Sequence, residues 1–129
     1  MMLSRNAALI VLAGALCATG ARAQTQSITV TLSSYDFTPD IVSLGAGVNY
    51  RLHLVNGSVR DHSFSAPEFF AASTVDAQDQ SKVVKGTVEI PANTSVDVML
   101  RTNAPGAYTL RCDHFLHAMF GMTGRIVVQ

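Results

Sequence analysis

Five side chains able to bind a soft or borderline metal fall within eleven residues near the C-terminus: Cys112, His114, His117, Met119 and Met122. They lie in the stretch Y-T-L-R-C-D-H-F-L-H-A-M-F-G-M-T-G, from Tyr108 to Gly124. Four residues separate Cys112 from His117 and four more separate His117 from Met122, so one tight loop carries a thiolate, an imidazole and a thioether. With one further histidine from elsewhere in the chain, such a loop can supply the three strong in-plane donors and the weak axial donor of a blue-copper centre.

The first 23 residues do not belong to the scaffold that must hold this loop. Arg5 lies in a short N-terminal segment, Ala7 to Ala18 is an unbroken run of apolar and small residues, and Ala21-Arg22-Ala23 forms an A-x-A site. That pattern predicts an export signal at residues 1–23, removed before Gln24, and places the mature chain in the periplasm. The apolar run is too short for a permanent membrane anchor. Acylation at Cys17 is not expected, because Leu16 stands where such sites take a small residue.

Cleavage changes two counts. Arg5 and Arg22 leave with the signal, so nine basic and nine acidic residues become seven and nine, a formal charge of −2. No basic stripe exists to neutralise phosphates, which excludes nucleic acid as a partner class. Cys17 also leaves, and Cys112 is then a single thiol in an oxidising compartment, where it cannot close an internal disulfide. A lone cysteine is ordinarily an inert core residue. The histidines and methionines around Cys112 favour a metal bond that protects the sulfur.

The remaining residues, 24–129, make one domain large enough to bury a core without cross-links. Ile28, Val30 and Leu32 alternate with Thr29, Thr31 and Ser33, and this predicts a first strand that stops near Pro39. Ile41–Leu44 is a second strand, turned at Gly45-Ala46-Gly47 into a third. There Val48, Tyr50, Leu52 and Leu54 share the apolar face, and His53 lies on the solvent side. Asn56-Gly57-Ser58 marks a turn. Ser65 and Glu68 have the spacing of a capping box around Pro67, predicting a short helix from there to about Ser73. Thr74–Gln80 reads as loop, Lys82–Lys85 and Thr87–Ile90 as short strands, and Val96, Val98 and Leu100 as one face of another, with Met99 on the opposite side. Tyr108–Arg111 is a strand that delivers Cys112 to the loop, and Arg125–Gln129 is the last. Seven to eight short strands with one brief helix predict an all-β fold, a Greek-key sandwich or barrel.

The Cys112, His117, Met122 and Gly124 pattern resembles the ligand loop of the cupredoxin, or type 1 blue copper, family, in particular its plastocyanin-like and rusticyanin-like members. The resemblance covers most of residues 24–129, is specific at this loop and around His62, and implies the same β fold. Members take their first histidine after an Asn-containing strand end and before an apolar residue, which matches His62 between Leu54-Val55-Asn56 and Ser63-Phe64. The resemblance therefore implies one copper ion held by His62, Cys112 and His117, with Met122 axial. His114 and Met119 are possible auxiliary ligands. His117 is preferred to His114 because the family's second histidine follows the cysteine by three to five positions. Many members join the two loops through asparagine after the first histidine and serine or threonine after the cysteine. Here the corresponding residues are Ser63 and Asp113, which can form an altered clamp. The proline that many members carry between cysteine and histidine is missing.

These features imply a one-electron carrier that meets redox partner proteins through an apolar patch of Phe115, Leu116, Ala118, Met119 and Phe120 around His117. The alternative is a copper-binding protein for delivery or tolerance, exchanging metal with a copper donor or acceptor through His114 and Met119. An enzyme is not expected: a multicopper oxidase or copper nitrite reductase needs more domains and histidine pairs, and a binuclear copper site needs a second cysteine. Structural zinc is disfavoured because methionine is a poor fourth ligand.

Overall fold

A computed structural model describes Gly14, residues 24–114, Leu116 and residues 119–129. The predicted export signal and its cleavage site lie outside these residues, apart from Gly14 and Gln24, as do Phe115, His117 and Ala118. No helix among the described residues is long and apolar enough to cross a membrane.

Ten strands form two five-stranded sheets among the described residues. The strands are β1 (Gln26–Ser33), β2 (Asp36–Thr38), β3 (Ile41–Leu44), β4 (Asn49–Asn56), β5 (His62–Ser65), β6 (Ser73–Val75), β7 (Thr87–Ile90), β8 (Thr94–Thr102), β9 (Gly106–Arg111) and β10 (Thr123–Val128). One sheet has the order β2-β1-β4-β8-β6 and the other β3-β10-β9-β5-β7. β1 runs parallel to β4 and β3 parallel to β10. The all-β sandwich with a short helix, α1 (Pro67–Ala71), follows the sequence expectation, with the three-residue strands β2 and β6 added.

Alternation explains why these segments pair face to face. Val30 and Leu32 of β1, Tyr50, Leu52 and Leu54 of β4, and Val98 and Leu100 of β8 are buried from one sheet. Val42 and Leu44 of β3, Phe64 of β5, Val88 and Ile90 of β7, Leu110 of β9, and Ile126 and Val128 of β10 are buried from the other. Each such side chain contributes roughly 1.5–3 kcal/mol by leaving water. Phe64 is also clustered with rings at both ends, its centroid 6.1 Å from those of Phe37 and Phe70 in edge-on arrangements.

Three local expectations are overturned. The Ser65–Glu68 capping box does not form: α1 is capped by Ala66 with no side-chain bond, and Pro67 opens the helix. Ser65 instead ends β5, opposite Thr87 in the antiparallel register, and the two hydroxyls meet at 2.8 Å. Thr74–Gln80 is not all loop, because Ser73–Val75 pairs with β8 and a 3-10 turn covers Ala77–Lys82. That turn consumes Lys82, so Lys82–Lys85 forms no strand, and Val84 makes only an isolated bridge to Thr87.

Candidate metal centre

β9 and β10 are hairpin partners, with Arg111 opposite Thr123, and the loop between them carries the donors. Its neck is closed by Cys112 N–H donating to Met122 O at 3.1 Å. Cys112 and Met122 are both fully buried, as is His62 at the start of β5. The strand register brings this histidine to the loop. β5 runs antiparallel to β9 with Ser65 opposite Arg111, so two steps back along β5 and two forward along the chain set Ser63 against Asp113.

The contacts at that meeting are specific. Ser63 N–H donates to Cys112 Sγ at 3.4 Å, and Ser63 Oγ lies 3.6 Å from the same sulfur. Asp113 N–H donates to Ser63 Oγ at 2.9 Å, and that hydroxyl donates to Asp113 Oδ1 at 2.5 Å. The backbone residue adjoining His62 is thus bonded to the sulfur of Cys112. An N–H aimed at the sulfur fixes its position relative to β5.

Asn56 fixes the segment leading into His62, and sequence reasoning missed this role. Its side chain, 1 % exposed, donates to Ile90 O at 2.9 Å and Arg60 O at 2.8 Å. Its Oδ1 accepts from Ser58 N–H at 2.9 Å and Ser58 Oγ at 2.8 Å, so the whole amide is satisfied. Ile90 is in turn the register partner of His62. The clue was parity: Asn56 continues the inward series Tyr50, Leu52, Leu54, where a polar residue needs internal partners.

Of the named donors, His62, Cys112 and Met122 come to one end of the sandwich, whereas His117 lies outside the described residues. Met119 is 70 % exposed, and Leu116 and Phe120 beside it are 56 % and 65 % exposed. The Phe120 ring stacks at 4.9 Å on Tyr35, which extends the apolar surface onto the turn after β1. His114 turns outward, its Nε2 2.9 Å from Glu89 Oε2. His53 is remote from this end. It sits on the outer face of the other sheet, with Nδ1 2.5 Å from Asp97 Oδ1. Burial raises the carboxyl of Asp97, but bonds from His53 and Arg51 outweigh that and hold it below its ordinary value.

A family model described as a cupredoxin-like domain matches residues 6–128. Among solved structures, auracyanin B has a TM-score of 0.60 and 21 % identity over 81 % of this chain and 88 % of that one. Dithionite-reduced auracyanin from Roseiflexus castenholzii has a TM-score of 0.60 and 14 % identity, covering 85 % and 99 %. The blue copper protein auracyanin A from Chloroflexus aurantiacus has a TM-score of 0.58 and 16 % identity, covering 82 % and 100 %. At such identities the likeness is one of fold. No curated protein sequence matches the chain.

Proposed function

The chain belongs to the cupredoxin-like domain family, and from that premise we propose that it is an exported, periplasmic, mononuclear copper protein that passes single electrons between redox partner proteins. The observation that carries this reading is that His62, Cys112 and Met122 are all fully buried and linked through the backbone, the N–H of Ser63 beside His62 donating to the Cys112 sulfur and the Cys112 N–H to Met122 O. The donor set fits copper: thiolate, imidazole and a soft thioether are the types such a centre takes, whereas structural zinc rejects the thioether. His62, Cys112 and His117 are the strong donors in this reading, and Met122 is the weak axial one. Bound copper would supply a one-electron couple.

The residues of the chain keep that donor set dry and still. Met122 and Phe64 are both buried in the core. Asn56 holds the entry to β5, the Cys112 N–H bond to Met122 O closes the loop, and the Ser63–Asp113 pair joins the two. A donor set fixed in this way needs little rearrangement when its charge changes. Leu116, Met119 and Phe120 offer the apolar surface on which a partner docks, and a weak, short-lived contact suits a shuttle. A second reading, copper delivery or tolerance, draws support from the exposed thioether of Met119.

The visible absorption spectrum of the copper-loaded, oxidised protein tests the proposal, with Cys112→Ser as control. An intense charge-transfer band lost in the variant is the expected result, and a colourless wild-type protein refutes the reading. Rapid electron self-exchange supports the carrier, while slow self-exchange with ready Cu(I) transfer to a chelator supports delivery.

A further inference from the structure

Outside the buried donor set, one group of side chains among the described residues is placed to hold a metal ion. Glu89, Asp113 and His114 each offer one ligand atom, and these atoms all lie within 4.8 Å of one another. Two strand pairings bring them together. Glu89 on the edge strand β7 is the register partner of Ser63, so its side chain emerges on the same face as the Ser63 hydroxyl. That hydroxyl is bonded to Asp113, and His114 follows Asp113 in the chain and reaches Glu89 at 2.9 Å.

The charge balance here is unusual. Among the described residues, no lysine or arginine lies within ion-pairing distance of Glu89 or Asp113, and His114 is the one basic side chain that touches Glu89. Lys82, which lines the same open groove as both carboxylates, is turned away: its Nζ is 2.8 Å from Asp79 Oδ1 and donates to Asp97 O at 2.8 Å. Two carboxylates are thus held near each other with no fixed cation between them, and like charges at that spacing favour an ion that can bridge them.

We propose that Glu89, Asp113 and His114 form a second, outer metal site, distinct from the buried donors, that takes a divalent cation of borderline softness such as Zn²⁺. One imidazole and two carboxylates form a mixed nitrogen and oxygen set that suits such an ion. Bonds of about 2.0–2.2 Å put tetrahedral ligands roughly 3.3–3.6 Å apart. The three ligand atoms, at most 4.8 Å apart and with Glu89 and His114 already 2.9 Å apart, therefore need only about an ångström of adjustment by an exposed Glu89 and a half-buried His114, and solvent molecules complete the shell. Asp113 is already held, because one carboxylate oxygen accepts from Ser63 and this fixes the group toward the outer face.

The test is calorimetric titration of Zn²⁺ into the mature chain carrying Cys112→Ser, which removes the thiolate from the buried set and so makes the result independent of the copper reading. One bound Zn²⁺ is expected. Adding His114→Ala weakens it about tenfold or more and adding Glu89→Gln weakens it similarly, while adding His117→Ala leaves it intact. Circular dichroism spectra that match across the variants show that the fold is kept. Absence of Zn²⁺ binding in the Cys112→Ser chain overturns the proposal, as does binding that survives His114→Ala and Glu89→Gln but is lost with His117→Ala. Failure of the copper reading shows separately, as a colourless copper-loaded wild type.

Discussion

Replacing Ser63 with alanine removes the single oxygen that ties β5 to the loop after β9. Ser63 Oγ accepts from Asp113 N–H at 2.9 Å and lies 2.5 Å from Asp113 Oδ1 and 3.6 Å from Cys112 Sγ. A hydroxyl has one proton, and the nearer, charged oxygen takes it in preference to sulfur. Losing the neutral bond costs about 0.5–1.5 kcal/mol and losing the charge-assisted one about 1.5–3 kcal/mol. Asp113 is exposed and its freed carboxylate regains water, which holds the second figure to its lower end. The sum is roughly 2–3 kcal/mol, and at about 4–6 °C per kcal/mol for a domain of this size the unfolding midpoint falls by roughly 8–18 °C. Thermal circular dichroism of the metal-free variant at neutral pH measures this without any assumption about copper. Asp113→Asn keeps the N–H donor and a neutral acceptor and should lose only about 1 kcal/mol. An S63A midpoint within about 2 °C of wild type refutes the clamp. In the copper-loaded protein the same substitution should also shift the visible band, since it loosens the surroundings of the sulfur.

Gly124→Ala should destabilise the fold by about 1–3 kcal/mol in denaturant titration, because a Cβ there would stand 2.5 Å from Asp40 O, a backbone oxygen fixed by Arg125 N–H at 2.8 Å; an unchanged midpoint refutes that packing. Asp79→Asn gives a pH-dependent loss. The Asp79 carboxyl is held below its ordinary 3.8, first by the bond from Lys82 and then by the Met99 N–H, against the opposing effect of burial. A depressed folded value adds stability that is complete above the unfolded value and disappears as pH falls through the folded one. The variant's deficit should therefore be full at pH 7 and close below about pH 4; a deficit that stays constant down to pH 2.5 argues against it.

The cluster of donors in the C-terminal loop was readable because they are neighbours in the chain. The strand faces were readable because side chains alternate: Tyr50, Leu52 and Leu54 go inward while Arg51 and His53 go outward to meet Asp97. Local pattern failed where a distant strand competed for the same group. Ser65 has the spacing of a helix cap, yet its hydroxyl faces Thr87 across a strand pair that no local window contains. β2 and β6 escaped notice because three residues are too few to show a period.

Resemblance alone singled out His62, fifty positions before Cys112, and only pairing explains its place. The β5–β9 register sets Ser63 against Asp113, and the β5–β7 register sets Glu89 beside Ser63. Both registers pass through one four-residue strand whose residues are all buried. A slip of one residue would exchange the faces of His62 and Ser63, because side chains along a strand alternate sides. The imidazole would then leave the core side that it shares with Phe64, and the hydroxyl would leave Asp113. Neither proposed centre would tolerate that exchange, so the bonds Asn56 makes to Arg60 and Ile90, which fix where β5 begins, would set the geometry of both.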